Sequence, residues 1–490
     1  MNRHGSMSII SKLPGKLFLL LYISITAPVY LVSAQHTSAK RPNIVIFIAD
    51  DLGAVDIGPY GNKIVRTPNL DAFAKESMRF TRAFAGSPTC GPSRSTILTG
   101  LYPFKHGGHG NHSAVKPGTI SIVQQLKPLG YRVAIAGKLH VGPEASFPFE
   151  RISHSNVIEP GFEKKPGLNY DLNMTVVEEW IAGLKKDQPF VLIVCDHSPH
   201  VVWPEKATYN PKSVDIPAKH VDTEDTRKAR ARYYTDITKM DGNMGRLINS
   251  LKKNGLEENT MVMLTADQGP QWAFAKWSLY DYGIQVPMIV RWPTLVKGGS
   301  TADDMVSQAD VVPTLLDIAG GKSPIKLDGS SFFDVLRAKA TRKREYVYAT
   351  HTGDNQMNRS PARMVRTKQF KYILNLAPEI EFNTHMNKAT DHDGGREYWP
   401  SWIAKAKNDA HAQHVLDLYH HRPSEELYDV IADPEEMHNL AADPIYAATL
   451  KQLRQRVAVW RKQQGDLETG PERPADPGVK RPHVPYVFMN

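Results

Sequence analysis

Ile44-Val45-Ile46-Phe47-Ile48-Ala49 is an unbroken apolar run that stops on two aspartates, Asp50 and Asp51, followed by Leu52-Gly53. It is too short for a helix and rich in β-branched residues, so it reads as a strand buried on both faces. The pattern recurs. Tyr131 to Gly137 ends on Lys138-Leu139-His140, Phe190 to Cys195 on Asp196-His197-Ser198-Pro199-His200, and Thr260 to Ala266 on Asp267-Gln268-Gly269. Val286 to Pro293 reads as a fifth strand. Helices are expected from Thr67 towards Met78, over Ile120–Leu129, Ala229–Asn254 and Asp310–Ala319. Buried strands alternating with helices predict an α/β fold with a large central, mostly parallel sheet flanked by helices. Sheets of this kind take ligands outside the carboxyl ends of their strands, which is where these runs carry their polar residues.

The chemistry of those ends is specific. Adjacent carboxylates repel unless a cation neutralises them, and hard oxygen donors suit calcium or magnesium. Alone, Asp-Asp-Leu-Gly is also a common solvated turn. Lys138 and His140 are two apart, so on an extended chain they share a side. A lysine offers a point charge to an oxyanion, and a histidine moves protons near neutral pH. A surface role accounts for any one of these residues but poorly for the set.

A second stretch, Ser87-Pro88-Thr89-Cys90-Gly91-Pro92-Ser93-Arg94 and on to Gly100, carries a different signal. Pro88 keeps the chain extended before Cys90, and Pro92 suits a first helical position. Cys90 is thus expected at a helix mouth, where free N–H groups and the helix dipole favour anions. Arg94 falls one turn along on the same face. Cys90-x-Pro92-Ser93-Arg94 with Leu98-Thr99-Gly100 resembles the maturation signature of the type I sulfatases, although Leu101 stands where many relatives have Arg. Thr67-Pro68-Asn69-Leu70-Asp71 also resembles a sulfatase segment. Gly137-Lys138-x-His140-Val141-Gly142-Pro143-Glu144 with Phe147-Pro148-Phe149 is similar to the sulfamidase (heparan N-sulfatase) branch.

The resemblance implies a mechanism. Cys90 would be oxidised to formylglycine by a formylglycine-generating or anaerobic maturase enzyme. Asp50, Asp51, Asp267, Gln268 and position 90 would hold one divalent ion, calcium in preference to magnesium. Gln268 departs from the usual Asn of the family. Arg94 would steady the formylglycine hydrate while it attacks sulfur. Lys138 and Lys276 would hold sulfate oxygens, His200 would protonate the leaving group, and His140 would help expel sulfate. By the same resemblance His200, rather than His197, takes the acid role. The expected substrate is a sulfated saccharide, an algal polysaccharide such as ulvan or a glycosaminoglycan, with N- and O-sulfate both open. The alternatives are a phosphoester or phosphonate hydrolase of the same superfold and a non-catalytic saccharide binder.

The remainder sets the frame. Arg3, Lys12 and Lys16, the apolar Leu17–Val32 and the Val32-Ser33-Ala34 pattern read as a secretory signal over residues 1–34. The protein is therefore expected in the periplasm or outside the cell, without stable membrane insertion. The chain of 490 residues with Cys90 and Cys195 as its two cysteines is not a disulfide scaffold, and Cys195 is expected as a buried thiol. A net charge of +9 favours acidic partners, yet no zinc-ligand spacing or basic helix points to nucleic acid. A Gly/His-rich loop spans Lys105–His112, and its histidines read equally as substrate contacts or loop surface. Residues 35–340 are taken as the catalytic domain. Residues 341–490 are taken as a smaller α+β part with a short antiparallel sheet and a last helix over Tyr446–Gln464, after a basic run at 338–345.

Overall fold

The computed structural model describes residues 41–159, 163, 169–185, 187–339, 344–353, 358–388, 397–467 and 469. The leader over 1–34, part of the basic run at 338–345 and most of the tail beyond Asp466 lie outside the described residues.

In chain order the first strands are β1 (Asn43–Ala49), β2 (Met78–Phe84), β3 (Arg132–Gly137), β4 (Glu150–Arg151), β5 (Asn156–Ile158) and β6 (Tyr170–Leu172). They are followed by β7 (Phe190–Cys195), β8 (Thr260–Ala266), β9 (Met288–Arg291) and β10 (Ser300–Ser307). Eight of them form one sheet in the order β10-β2-β9-β8-β1-β7-β3-β4, and β5 pairs with β6. β9 runs antiparallel to β2 and β8, and the other neighbours are parallel. The middle of the sheet is as expected: β1, β7 and β8 are buried at every position. Their register sets Ala49 beside Ala266, Ile48 beside Cys195 and Gly137 beside Cys195. The carboxyl ends of β8, β1, β7 and β3 therefore lie level.

β2, β10 and the short β4, β5 and β6 are additions to the expected strands. β2 and β10 carry Arg79, Arg82, Asp303 and Asp304 and have mixed burial, so neither shows an unbroken apolar run. The expected fifth strand is shorter than Val286–Pro293 and antiparallel. The helix after Thr67 spans Pro68–Lys75. Its first turn is held by Asp241, which accepts from Asn69 N (3.2 Å), Asn69 Nδ2 (2.7 Å) and Leu70 N (2.7 Å). Asp241 lies on the long helix Glu224–Lys253, which runs unbroken through Gly242 and Gly245. A Cβ at Gly245 would sit 2.4 Å from Asn69 Oδ1, so a glycine is what lets the two helices meet there.

The later strands β11 (Val347–His351), β12 (Ala362–Arg366), β13 (Phe370–Asn375) and β14 (Glu425–Asp429) form an antiparallel sheet in that order. The helix Ala447–Gln464 covers it through Leu450, Leu453 and Val457 against Val365, Tyr372 and Leu427. Val347, Ala349 and Met364 of this sheet, with Trp402 and Tyr419 of the helices Trp399–Ala406 and Ala410–His420, belong to the same apolar cluster as β1 and β8. Among the described residues no helix is long and apolar enough to cross a membrane.

Candidate active site

Thr89 is extended and a helix starts at Cys90, ends at Thr99 and is closed by Gly100 in the left-handed region at φ 72°. Pro92 is thus the third helical residue rather than the first. It still falls among the first four positions, whose N–H groups have no partner within the helix, so it costs the helix nothing. Cys90 is 2% exposed. Its Sγ lies 3.9 Å from Asp50 Oδ1 and receives Gln268 Nε2 at 3.3 Å. Arg94, one turn on, sets Nε 2.9 Å from Asp267 Oδ2, donates Nη1 to the Lys138 carbonyl at 3.0 Å, and places Nη2 3.4 Å from Asp50 Oδ1. Asn111 accepts the Gly91 N–H at 3.2 Å. Ser93 meets Gln308 Oε1 at 2.7 Å, and Gln308 Nε2 donates to the Ala266 and Asp267 carbonyls at 2.9 and 2.6 Å. The helix mouth is therefore fastened to the end of β8.

The aspartates converge on the same point. Asp267 Oδ1 accepts the Asp51 and Gln268 N–H groups at 3.0 and 2.9 Å, clipping the ends of β1 and β8 together. Asp51 sits at φ 64°, a conformation found in non-glycine residues mainly where surrounding structure enforces it. Lys138 Nζ donates to Asp50 Oδ2, and Gln268 Nε2 to Asp51 Oδ1. Lys276 Nζ reaches Asp51 Oδ2 at 2.8 Å, His200 Nε2 at 3.1 Å and Gln271 Oε1 at 3.0 Å. All of these groups are buried. Burial, with added repulsion from Asp50, pushes Asp51 to about 6 and Asp267 to about 7 against the pull of Lys276 and Arg94. Asp50 goes the other way: burial would raise it, but Lys138 and Arg94 hold it well below the usual range.

This donor set fits a divalent cation. Ligand atoms of Asp50, Cys90 and Asp267 lie within 4.8 Å of one another, as do those of Asp51, Cys90 and His200. Gln268 Oε1 is buried without a hydrogen-bond partner among the described residues, an acceptor that a hard cation would satisfy.

His200 Nδ1 lies 2.6 Å from the Val201 carbonyl. A carbonyl only accepts, so Nδ1 carries the hydrogen and Nε2 faces Lys276 as an acceptor. Burial and Lys276 keep this imidazole well below its ordinary value. His197 instead donates to Asn156 Oδ1 at 2.7 Å. β3 ends at Gly137, so Lys138 and His140 are not on the strand itself; His140, at φ 50°, sets Nε2 3.0 Å from His112 Nδ1. Burial, then His112 and Lys138, keep His140 well below its usual value. Of the loop histidines, His106 is fully buried beside Thr96 and His109 stacks on Phe104, while His112 meets His140. The structure thus brings together Asp50, Asp51, Cys90, Arg94, Lys138, His200, Asp267, Gln268 and Lys276, with His140 beside Lys138. Sequence reasoning missed Asn111, Gln271 and Gln308, which lie on loops and turns without periodicity. Both cysteines are free and buried, Cys195 at the end of β7.

The profile of the family described as Sulfatase matches residues 42–321, and that of the N-sulphoglucosamine sulphohydrolase C-terminal region matches residues 269–391. The chain is 33% identical to an ulvan-active sulfatase of Formosa agariphila over 89% of this chain and 83% of that protein. It is 29% identical to human N-sulphoglucosamine sulphohydrolase over 87% and 91%. Among solved structures, the phosphonate monoester hydrolase of Agrobacterium radiobacter shares the fold at a TM-score of 0.68 and 19% identity, covering 86% of this chain and 96% of that one. A structure in complex with D-glucosamine-2-N,6-O-disulfate shares it at 0.62 and 22%, covering 88% and 99%. With strand ends, helix mouth and profiles in agreement, the chain belongs to the sulfatase family of sulfuric ester hydrolases, with a sulfamidase-like relationship.

Proposed function

We propose that the protein is an exported sulfatase that removes sulfate groups from sulfated saccharides, with position 90 oxidised to formylglycine as the nucleophile. One observation carries the reading: Cys90 stands at a helix mouth enclosed by Asp50, Gln268, Arg94, Lys138 and Lys276. An anionic sulfuryl group entering there meets fixed cations and the positive end of a helix dipole, the environment that favours charge developing during transfer.

A divalent cation, calcium on this oxygen-rich donor set, would be held by Asp50, Asp51, Asp267, Gln268 and position 90, and would supply charge to a sulfate oxygen and acidity to the attacking hydroxyl. Arg94, pinned to Asp267, orients the side chain at 90. Lys138 and Lys276 bind sulfate oxygens. Lys276 Nζ and His200 Nε2, 3.1 Å apart, share a proton, and this pair is the acid for the leaving oxygen or nitrogen. His140, kept neutral by burial and His112, is the base that draws a proton from the side chain at 90 when sulfate leaves.

The named relatives act on ulvan and on N-sulphoglucosamine, which supports saccharide sulfates as the class and leaves both linkages as substrates to assay. The test is the protein matured by a formylglycine-generating or anaerobic enzyme, with the Cys90 peptide weighed and sulfate release followed on ulvan oligosaccharides, N- and O-sulfated glucosamines and a phosphonate monoester. Release from a saccharide sulfate is expected. Formylglycine at 90 with hydrolysis of the phosphonate alone would overturn the reading. Export is checked by a mature chain that begins at Gln35.

A further inference from the structure

A cavity of about 520 Å³ is lined in part by Phe274 and Tyr280, from the loop that carries Lys276. Its lining includes Lys219, His220, Phe274, Tyr280, Arg82 and Glu435, and none of the groups around Cys90. The volume is that of an ordinary small-molecule site. Two of its lining side chains are buried and unsatisfied. Lys219 is 5% exposed, and among the described residues its Nζ has no hydrogen-bond partner. The ammonium faces the Tyr280 ring, 3.3 Å from the centroid, with Phe274 at 5.4 Å. Next to it in sequence, His220 lies 3.1 Å from the Ala273 carbonyl through Nε2. That bond makes Nε2 the donor and leaves Nδ1 a bare acceptor, and Nδ1 is likewise buried without a partner.

A buried polar atom without a partner is costly, and here a donor and an acceptor from consecutive residues line one cavity beside aromatic rings. Hydroxyls suit both: a hydroxyl oxygen accepts from an ammonium, and a hydroxyl hydrogen goes to a bare imidazole nitrogen. We propose that this cavity is a non-catalytic saccharide site, in which ring hydroxyls engage Lys219 Nζ and His220 Nδ1. Burial pushes the Lys219 amine down to about 8, against the pull of Glu436 and Glu426, and a ligand oxygen on Nζ would favour its charged form. The proposal stands apart from the catalytic reading, because none of the groups around Cys90 lines this cavity.

The test is calorimetric titration of the full chain with D-glucose, D-glucuronate and inorganic sulfate, repeated on Lys219→Met and His220→Phe, with a glucose-soaked crystal to locate the sugar. Methionine keeps the length of Lys219 and removes a buried charge, so folding is expected to survive, and a thermal scan checks it. The expected result is glucose bound in this cavity, with affinity reduced about tenfold or more by Lys219→Met, the cost of losing a hydrogen bond to a charged group. Hydrolysis of a simple aryl sulfate should be unchanged in that variant. Binding of glucuronate or sulfate without glucose would make this an anion site and overturn the proposal. So would glucose binding that ignores both substitutions, or no binding at all.

Discussion

Burial pushes the Cys90 thiol up to about 12, against the pull of Lys138 and Lys276. A thiol held neutral is a poor nucleophile, so under the proposed reading the reactivity of position 90 belongs to its oxidised form. Cys90→Ala is expected to lower turnover by roughly 10⁴-fold or more while leaving the melting temperature within a few degrees. Sulfate release and a thermal scan on the same preparation check this, and retained turnover would remove the nucleophile assignment. Gln268 is one residue at which this chain departs from the motif it resembles, and its Oε1 has no hydrogen-bond partner among the described residues. Gln268→Leu keeps the bulk and removes the oxygen. It is expected to weaken calcium binding by about tenfold or more, measured by competition with a chromophoric chelator; unchanged affinity would exclude Gln268 as a ligand.

The strand ends do their work through backbone geometry as much as through side chains. Gly137 closes β3 at φ 78°, and a Cβ there would lie 1.9 Å from the Cys195 carbonyl oxygen. Gly137→Ala is expected to destabilise the protein by about 2–4 kcal/mol and to displace Lys138, seen as a lower urea midpoint together with lost activity. On the long helix, Asp236 accepts from Ser198 Oγ at 2.9 Å and is pushed to about 8 by burial, opposed by Lys239. The folded state therefore holds a proton that the unfolded chain, with a carboxyl near about 3.9, releases. The stability tied to that proton is present below pH 4 and lost as pH rises to 8. Asp236→Asn should flatten this slope, so the variant gains on the parent in melting temperature from pH 5 to pH 8. What was legible in the sequence follows the same division. β1, β7 and β8 announce themselves because both faces are buried and every position is apolar. β2 and β10 do not, because Arg79, Arg82, Asp303 and Asp304 interrupt their pattern. Asp50, Asp51, Cys90 and Asp267 could be singled out because they end apolar runs or sit in a demanding motif. Gln271 and Gln308 could not, since only folding brings them to Lys276 and Ser93.

Across the molecule, the proposed boundary at 340/341 separates parts that share buried ion pairs. Lys371 of β13 is fully buried, 2.5 Å from Asp281 Oδ1 and 2.7 Å from Glu436 Oε1, and Arg366 of β12 reaches Asp281 Oδ2 at 2.9 Å. Lys371→Met would leave two buried acids short of a cation. It is expected to cost about 3–5 kcal/mol, in one urea transition seen alike by fluorescence and far-ultraviolet dichroism. Two separated transitions would mean that the parts fold independently. The clip between β1 and β8 joins residues more than 200 positions apart, so the chamber closes only after most of the chain has left the ribosome. Once shut, it leaves the sulfur at position 90 no path to a second protein. Under the proposed reading, an enzyme that oxidises that side chain would have to arrive while the chain is still open, so maturation would be a race against folding and a faster-folding variant would be a less fully converted one.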